Sequence, residues 1–286
     1  MKEKIMKGVF LFAACASILA VGLICYFLLV NGIPGMAKIG VGKFLGGKIW
    51  RPNNDEFGIL PMIVGSLYVT AGAIIFGVPI GILTSVFMAK YCPKTIYRPL
   101  KTAIELLSGI PSVVYGFFGL VVLVPFVRNV GRSLGLGGNG SSIFTASLLL
   151  GMMILPTIIG VTESAIRAVP AAYYEGALAL GATHEGAVFK VVLPAAKSGV
   201  VAGVVLGIGR AIGETMAVIM VAGNQARLPN GIFRGIRTLT ANIVLEMGYA
   251  TDLHREALIA TGVVLFVFIL AINVSVSLLN RRGQNG

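Results

Sequence analysis

Glu175-Gly176-Ala177-Leu178-Ala179-Leu180-Gly181, followed by Val191-Val192-Leu193-Pro194, is the stretch on which the reading of this chain turns. It is a polar, glycine-punctuated interruption in an apolar sequence, with the spacing E-x-A-x3-G-x9-V-x-L-P. Pro170 can open a helix there, and residues 171–180 are good helix formers with Glu175 in their midst. Gly181 suits the left-handed residue that ends such a helix. Thr183 can cap a second helix with Glu185 and Gly186 in its first turn, and Leu193-Pro194 closes it. Two short helices with a tight turn are therefore predicted between two apolar runs.

The surroundings of that stretch fix the class. Of 286 residues, 56% are hydrophobic and only 12% charged, and the mean hydropathy is +0.91. A soluble domain carries about 25% charged residues. Six apolar runs, 8–30, 60–88, 104–127, 143–161, 199–223 and 257–280, are long enough to cross a hydrocarbon core of about 30 Å. An all-α polytopic membrane protein with about six transmembrane helices is predicted. The first run exceeds the ~7–15 apolar residues of a cleavable signal, so it reads as a retained helix. Pro61, Pro79, Pro111 and Pro125 interrupt the second and third runs and predict kinks. The organisation expected is a first span with an outer loop (1–56), a transmembrane core (57–280) with its polar loop near 170–198, and a tail (281–286). Segment 31–59 reads as one long outer loop holding Trp50, and 135–142 as a Gly/Ser-rich outer turn.

Charge orients the chain. Lys2, Lys4 and Lys7, then Lys90, Lys94, Arg98 and Lys101, then Arg167, Lys190 and Lys197, then Arg281 and Arg282 fall on one side, which predicts cytoplasmic termini. The opposite loops are basic too, through Arg51, Arg128, Arg132, Arg227, Arg234, Arg237 and Arg255 among others. They suit lipid headgroups or an anionic solute. The net charge of +12 comes without the aromatic-plus-basic stripe of a nucleic-acid binder. Cys15 and Cys25 lie about 15 Å apart along one helix and cannot bridge. His184 and His254 lack partners at metal spacing and read as surface residues. No catalytic triad or carboxylate pair is evident. Gly42-Lys43-Phe44-Leu45-Gly46-Gly47-Lys48 approaches a phosphate-binding loop, but Ile49 stands where the Mg²⁺-binding hydroxyl belongs.

The fifth run contains Gly207-Ile208-Gly209-Arg210-Ala211-Ile212-Gly213-Glu214-Thr215. On one helix, Arg210 and Glu214 would share a face. Each charge near the bilayer centre costs at least ~2.5–3.5 kcal/mol, so the two must pair or face a polar cavity. One reading is an ion pair that fixes packing. The other is an anion relay in which Arg210 attracts the solute and Glu214 holds Arg210 or discriminates by repulsion. Gly209 and Gly213 read as a small-residue surface for close helix contact. Ser108-Gly109-Ile110-Pro111-Ser112-Val113-Val114-Tyr115-Gly116 reads as a kinked packing site or a pore-lining gate.

Stretch 175–194 resembles the EAA loop of bacterial ABC importer permeases, with Gly176 where that family often has Ala. Phe57-Gly58-Ile59-Leu60-Pro61-Met62-Ile63-Val64-Gly65-Ser66-Leu67, the Ser108–Gly116 stretch, 209–218, and Thr240-Ala241-Asn242-Ile243 with Glu246 and His254 extend the likeness. Over most of 57–280 the chain resembles the PstC-type permease subunits of bacterial phosphate ABC importers. That resemblance implies a type I ABC importer permease (MetI-like) architecture in the bacterial plasma membrane. It implies ATPase coupling through Glu175, Gly176, Ala177, Gly181, Leu193 and Pro194. A translocation pathway through Arg210, Glu214, Thr215, Ser108 and Ser112 is expected. The implied partners are a PstA-like second permease, a PstB-like ATPase dimer that binds the ATP, and a phosphate-binding protein outside. No cofactor is expected in this chain. A permease for molybdate or sulfate is the alternative. An ion-coupled secondary transporter is disfavoured by the EAA loop and by the lack of an inverted repeat.

Overall fold

Helix α1 (Lys2–Ile39) is apolar on every side and packs along the last helix, α14 (Asp252–Arg282). The fold is that of a computed structural model describing residues 2–135 and 137–282, with side chains over 6–135 and 137–274. Gly32 and Gly35 let the two helices touch: a Cβ at Gly32 would lie 2.6 Å from Val263 Cγ2, and one at Gly35 2.7 Å from Glu256 Cβ. Lys38 Nζ then meets Glu256 Oε1 at 2.6 Å. This packing carries α1 past its expected end. Segment 31–59 is therefore not one loop. It comprises the end of α1, the short α2 (Val41–Gly46), and a hairpin of β1 (Trp50–Arg51) and β2 (Glu56–Phe57), in which Trp50 pairs with Phe57 and Arg51 with Glu56.

The second span is α3 (Leu60–Val86), prolonged by a wide π turn to Tyr91. It lies against α7 (Ile143–Ala168), the most buried span. Glycine makes this contact: Cβ atoms at Gly72, Gly77 and Gly81 would fall 2.2, 2.7 and 2.8 Å from Ser147, Ile154 and Ile158. Ile154, Ile158, Leu149, Leu150 and Met153 of α7 form the centre of the core. Ser142 caps α7, its side-chain oxygen accepting from the Thr145 amide at 3.3 Å.

The third span begins later than the sequence suggests. The amphipathic α4 (Lys94–Gly109) packs Ile104 against Met88 and Ile159. The chain breaks at Ile110-Pro111, and the crossing segment is 112–133: α5 (Ser112–Phe118), a π turn over 119–123, and α6 (Val124–Ser133). Pro111 breaks the helix outright, because Ile110 before it is extended (ψ 126) as a residue preceding proline prefers to be.

After α7 the chain forms α8 (Ala171–Ala179), α9 (His184–Ala187), a π turn over 188–192 and α10 (Leu193–Ala195). It then bends by 70° into α11 (Lys197–Gly213). The fifth run is not one helix: α11 stops at Gly213 and α12 (Met216–Val221) begins after a two-residue break. A loop leads to α13 (Leu239–Glu246) and then α14. Among the described residues, five helices are long and apolar enough to cross a membrane, six with the bent pair ending in α11. The hairpin, the 137–142 turn and α13 gather at one end of the bundle, and α8–α10 with the start of α4 at the other.

Candidate functional site

Arg210 lies in the last turn of α11, and Glu214 in the break between α11 and α12. Glu214 has an extended backbone (φ −69, ψ 131), so it does not share a helical face with Arg210. No ion pair joins them among the described residues. Instead Glu214 Oε1 accepts the amides of Thr215 at 3.0 Å and Ala217 at 3.2 Å, capping α12. Its carbonyl accepts the Thr240 hydroxyl at 3.1 Å. Arg210, half-buried in the last turn of α11, hydrogen-bonds among the described residues only to Thr157 Oγ1, with Nη1 at a long 3.5 Å. Thr157 stands halfway along α7, beside Pro156, which places the guanidinium at mid-depth. The sequence reading missed Thr157; a hydroxyl after a mid-span proline was the available signal.

The expected contact face of α11 is also revised. Nothing lies within 4 Å of a Cβ built on Gly209 or Gly213. The close contacts come from Gly199, Gly203 and Gly207, whose Cβ atoms would meet Ala165, Thr162 and Ile158 at 2.2, 2.9 and 2.8 Å. Those glycines are four apart and turn toward α7, leaving Leu206, Gly209 and Gly213 on an open face. Thr215 donates its hydroxyl to Gly213 O at 3.2 Å. Ser108 is exposed on α4 and Ser112 half-buried at the start of α5; no hydrogen bond joins either to Arg210 or Glu214. The structure therefore gathers Arg210, Glu214 and Thr215 at one break and leaves the two serines on the neighbouring helix break.

At the far end, stretch 170–195 takes the predicted form of short helices joined by a tight turn. Pro170 precedes α8, Gly181 has φ +87 after it, and Thr183 Oγ1 caps α9 by accepting from the Gly186 amide at 3.1 Å. Glu175, Gly176, Gly181 and Pro194 are exposed, whereas Ala177 and Leu193 are half-buried. Leu180 is 92% exposed at the tip, with Tyr173 and Phe189 also open to the outside.

Three polar clusters went unread in the sequence. Glu163 of α7, 1% exposed, accepts from Tyr97 Oη at 2.7 Å, Lys101 Nζ at 3.0 Å and Arg167 Nε at 2.7 Å. The hydrogen bond to Glu163 raises the pKa of Lys101 and, with burial, that of Tyr97. At the other end, Glu246 accepts from Trp50 Nε1 at 2.8 Å and from Arg237 Nη1, and pairs with His254 Nε2 at 2.9 Å. His254 is thus largely buried and not a surface residue. Burial and the Glu246 charge raise the nearby Tyr249. His184 is likewise engaged, through Nδ1 with the Tyr174 hydroxyl. Glu163 with Arg167 four residues on was the one cue the sequence offered.

A bundle that shows a polar two-helix turn at one end and keeps charge inside a broken span has the build of an ABC importer permease. The chain belongs to the family described as binding-protein-dependent transport system inner membrane component, whose pattern it matches over residues 77–284. Its members are multi-pass permeases that act with other ABC transporter components and are not themselves enzymes. The chain is 39% identical to the probable ABC transporter permease protein YqgH of Bacillus subtilis over 279 residues, 93% of this chain and 89% of that one. It is 37% identical to the phosphate transport system permease protein PstC of Mesorhizobium japonicum over 241 residues, 79% of this chain and 74% of the other. Among solved structures, the inward-facing MetNI methionine ABC transporter superposes with a TM-score of 0.63 at 21% identity, covering 82% of this chain and 99% of that one. A bacterial ABC transporter involved in import of the acidic polysaccharide alginate superposes with a TM-score of 0.60 at 17% identity, covering 98% and 99%. These two likenesses concern the fold.

Proposed function

We propose that this chain is one of two permease subunits of an ATP-driven importer of inorganic phosphate. The observation that carries the reading is the Arg210 guanidinium, at mid-depth beside a helix break and without a carboxylate partner among the described residues. A cation left unpaired at that depth is expensive unless an anion comes to it. The phosphate transport names of similar permeases supply the identity of the anion.

In this reading a PstA-like permease completes the pathway across the open face bearing Gly209 and Gly213. A PstB-like ATPase dimer binds the ATP and docks on α8 and α9 around Glu175, Gly176, Ala177 and Gly181, with Leu193 and Pro194 at the root of the turn. A phosphate-binding protein delivers the solute to the hairpin end. Both termini lie in the cytoplasm of a bacterial cell and the chain sits in its plasma membrane, following the basic loops. ATP closes the ATPase dimer, the coupling turn moves, and the permease opens outward; hydrolysis resets it. Arg210 holds the anion in transit. Glu214 keeps the break open by capping α12, with Thr215, Ser108 and Ser112 near the path.

The test is uptake of labelled phosphate, sulfate and molybdate in cells lacking the gene, with and without the chain restored. Selective recovery of phosphate uptake is expected. Recovery of sulfate or molybdate uptake instead would keep the transporter class and overturn the substrate.

A further inference from the structure

Tyr91 closes the π turn that ends the second span, and His184 opens α9 in the coupling turn. Their rings meet edge to face, with centroids 4.6 Å apart and planes at 73°. The same imidazole bonds through Nδ1 to the Tyr174 hydroxyl of α8 at 2.5 Å, its ring at 86° to that of Tyr174. Lys90 Nζ lies 5.5 Å over the Tyr174 ring. Tyr91 and Tyr174 both rest on the buried cluster of Val86, Ile166, Val188, Val192 and Ala196. The Tyr91 hydroxyl is buried without a hydrogen-bond partner, so the ring and not the oxygen makes the attachment.

We propose that Tyr91, His184 and Tyr174 form a clasp that passes displacement of α8 and α9 to the second span, so that Tyr91 and His184 are positioning residues for coupling hydrolysis to transport. The inference rests on the importer function proposed above. Its basis is mechanical. The covalent route from the coupling turn into α11 runs through a π turn and a 70° bend at Ala196. A push on the turn can be absorbed there as a change of bend angle. The clasp supplies a second route that avoids the bend. It ends on a span locked to α7 by the glycine contacts of Gly72, Gly77 and Gly81, and close-packed interiors transmit strain. Attached at both Ala196 and Tyr91, the turn acts as a lever across two spans. Tyr91 ends one π turn, 87–91, and His184 stands one turn before another, 188–192, a distortion that recurs at functional sites.

The experiment uses the complete complex in proteoliposomes and measures phosphate uptake and ATP hydrolysis together. Tyr91→Phe keeps the ring and is expected to leave phosphate moved per ATP unchanged. Tyr91→Ala and His184→Ala are expected to lower that ratio by roughly fivefold or more, the low end of coupling between distant sites, while hydrolysis persists. His184→Asn, whose amide can keep the Tyr174 hydrogen bond, should recover part of the loss. If assembled His184→Ala complexes keep the unaltered ratio, or if Tyr91→Phe uncouples as fully as Tyr91→Ala, the clasp is refuted. Should Tyr91→Ala fail to assemble, His184→Ala decides, because its half-buried ring lies outside the apolar cluster. A complex of unaltered chains that takes up no phosphate with ATP would overturn the importer function itself, and the clasp with it, before any variant is compared.

Discussion

Replacing Arg210 by glutamine removes one charge from the middle of the bundle and little else. The side chain is half-buried, makes a single 3.5 Å contact to Thr157, and has no carboxylate within 4.0 Å among the described residues. Nothing is therefore left as an orphaned partner charge, and removing the cation relieves the ~2.5–3.5 kcal/mol that an arginine costs at the membrane centre. Insertion and assembly should be at least as good as before. Transport should not. A unit anion ~4 Å from the guanidinium gains about 4 kcal/mol at an effective dielectric near 20. If a wet cavity halves that gain, about 2 kcal/mol remains, or about a 30-fold loss in the neutral variant. Arg210→Lys keeps the charge but loses the planar two-pronged donor, so it should fall between. The assay is initial phosphate uptake in cells or proteoliposomes, normalised to the amount of assembled complex. Uptake by Arg210→Gln within about twofold of the unaltered chain, less than 0.5 kcal/mol, would refute the anion role.

Gly181→Pro cannot adopt the φ of +87 in the turn between α8 and α9, the proposed ATPase contact, and Glu175→Lys reverses an exposed charge on α8. Both should abolish binding-protein-stimulated ATP hydrolysis with the protein still inserted; normal ATP-driven uptake would refute the assignment. Glu163→Gln removes the carboxylate that Lys101 and Arg167 share. Because those two are 33% and 45% exposed, the cost should be about 1–2 kcal/mol, below the ~3–5 of a fully buried pair, read as a lower melting temperature in detergent. Trp50→Phe removes the 2.8 Å indole bond to Glu246 and should cost about 1 kcal/mol. Limited proteolysis over 52–55 should show faster cleavage, with uptake little changed.

The parts of the fold set by composition and by local punctuation were legible. Apolar length marked the spans, and Pro170, Gly181 and Thr183 marked the turn between α8 and α9, because capping and left-handed turns depend on residues close in sequence. What depended on neighbours was not. The continuation of α1 to Ile39 follows from Gly32 and Gly35 meeting Val263 and Glu256, more than 200 residues away, a contact no local pattern reports. The glycine face of α11 was misplaced for the same reason. Gly209 and Gly213 have the spacing of a contact surface, but so do Gly199, Gly203 and Gly207, and only α7 decides between them. His254 and Trp50 looked like loop residues because Glu246, which buries them, sits on a separate short helix.

The spacing of Arg210 and Glu214 misled most instructively. Four residues apart on a continuous helix they would neutralise each other, and the cost of both charges would be met by their pairing. The break at Glu214 gives each a different helix. Arg210 lies in the last turn of α11, where the orphaned carbonyls favour a cation, and Glu214 lies at the start of α12, where the orphaned amides favour an anion. The helix ends thus offset part of the cost of each charge without consuming the other. An intrahelical pair would have occupied the guanidinium. Here its donors, five in number for any arginine, stay almost wholly uncommitted, with one long contact to Thr157. A transport site needs such a cation, stable enough to be built into a span yet free to bind and release. In the proposed function, breaking the helix between the two charges achieves that, and joining the break would turn the same two residues into a structural pair.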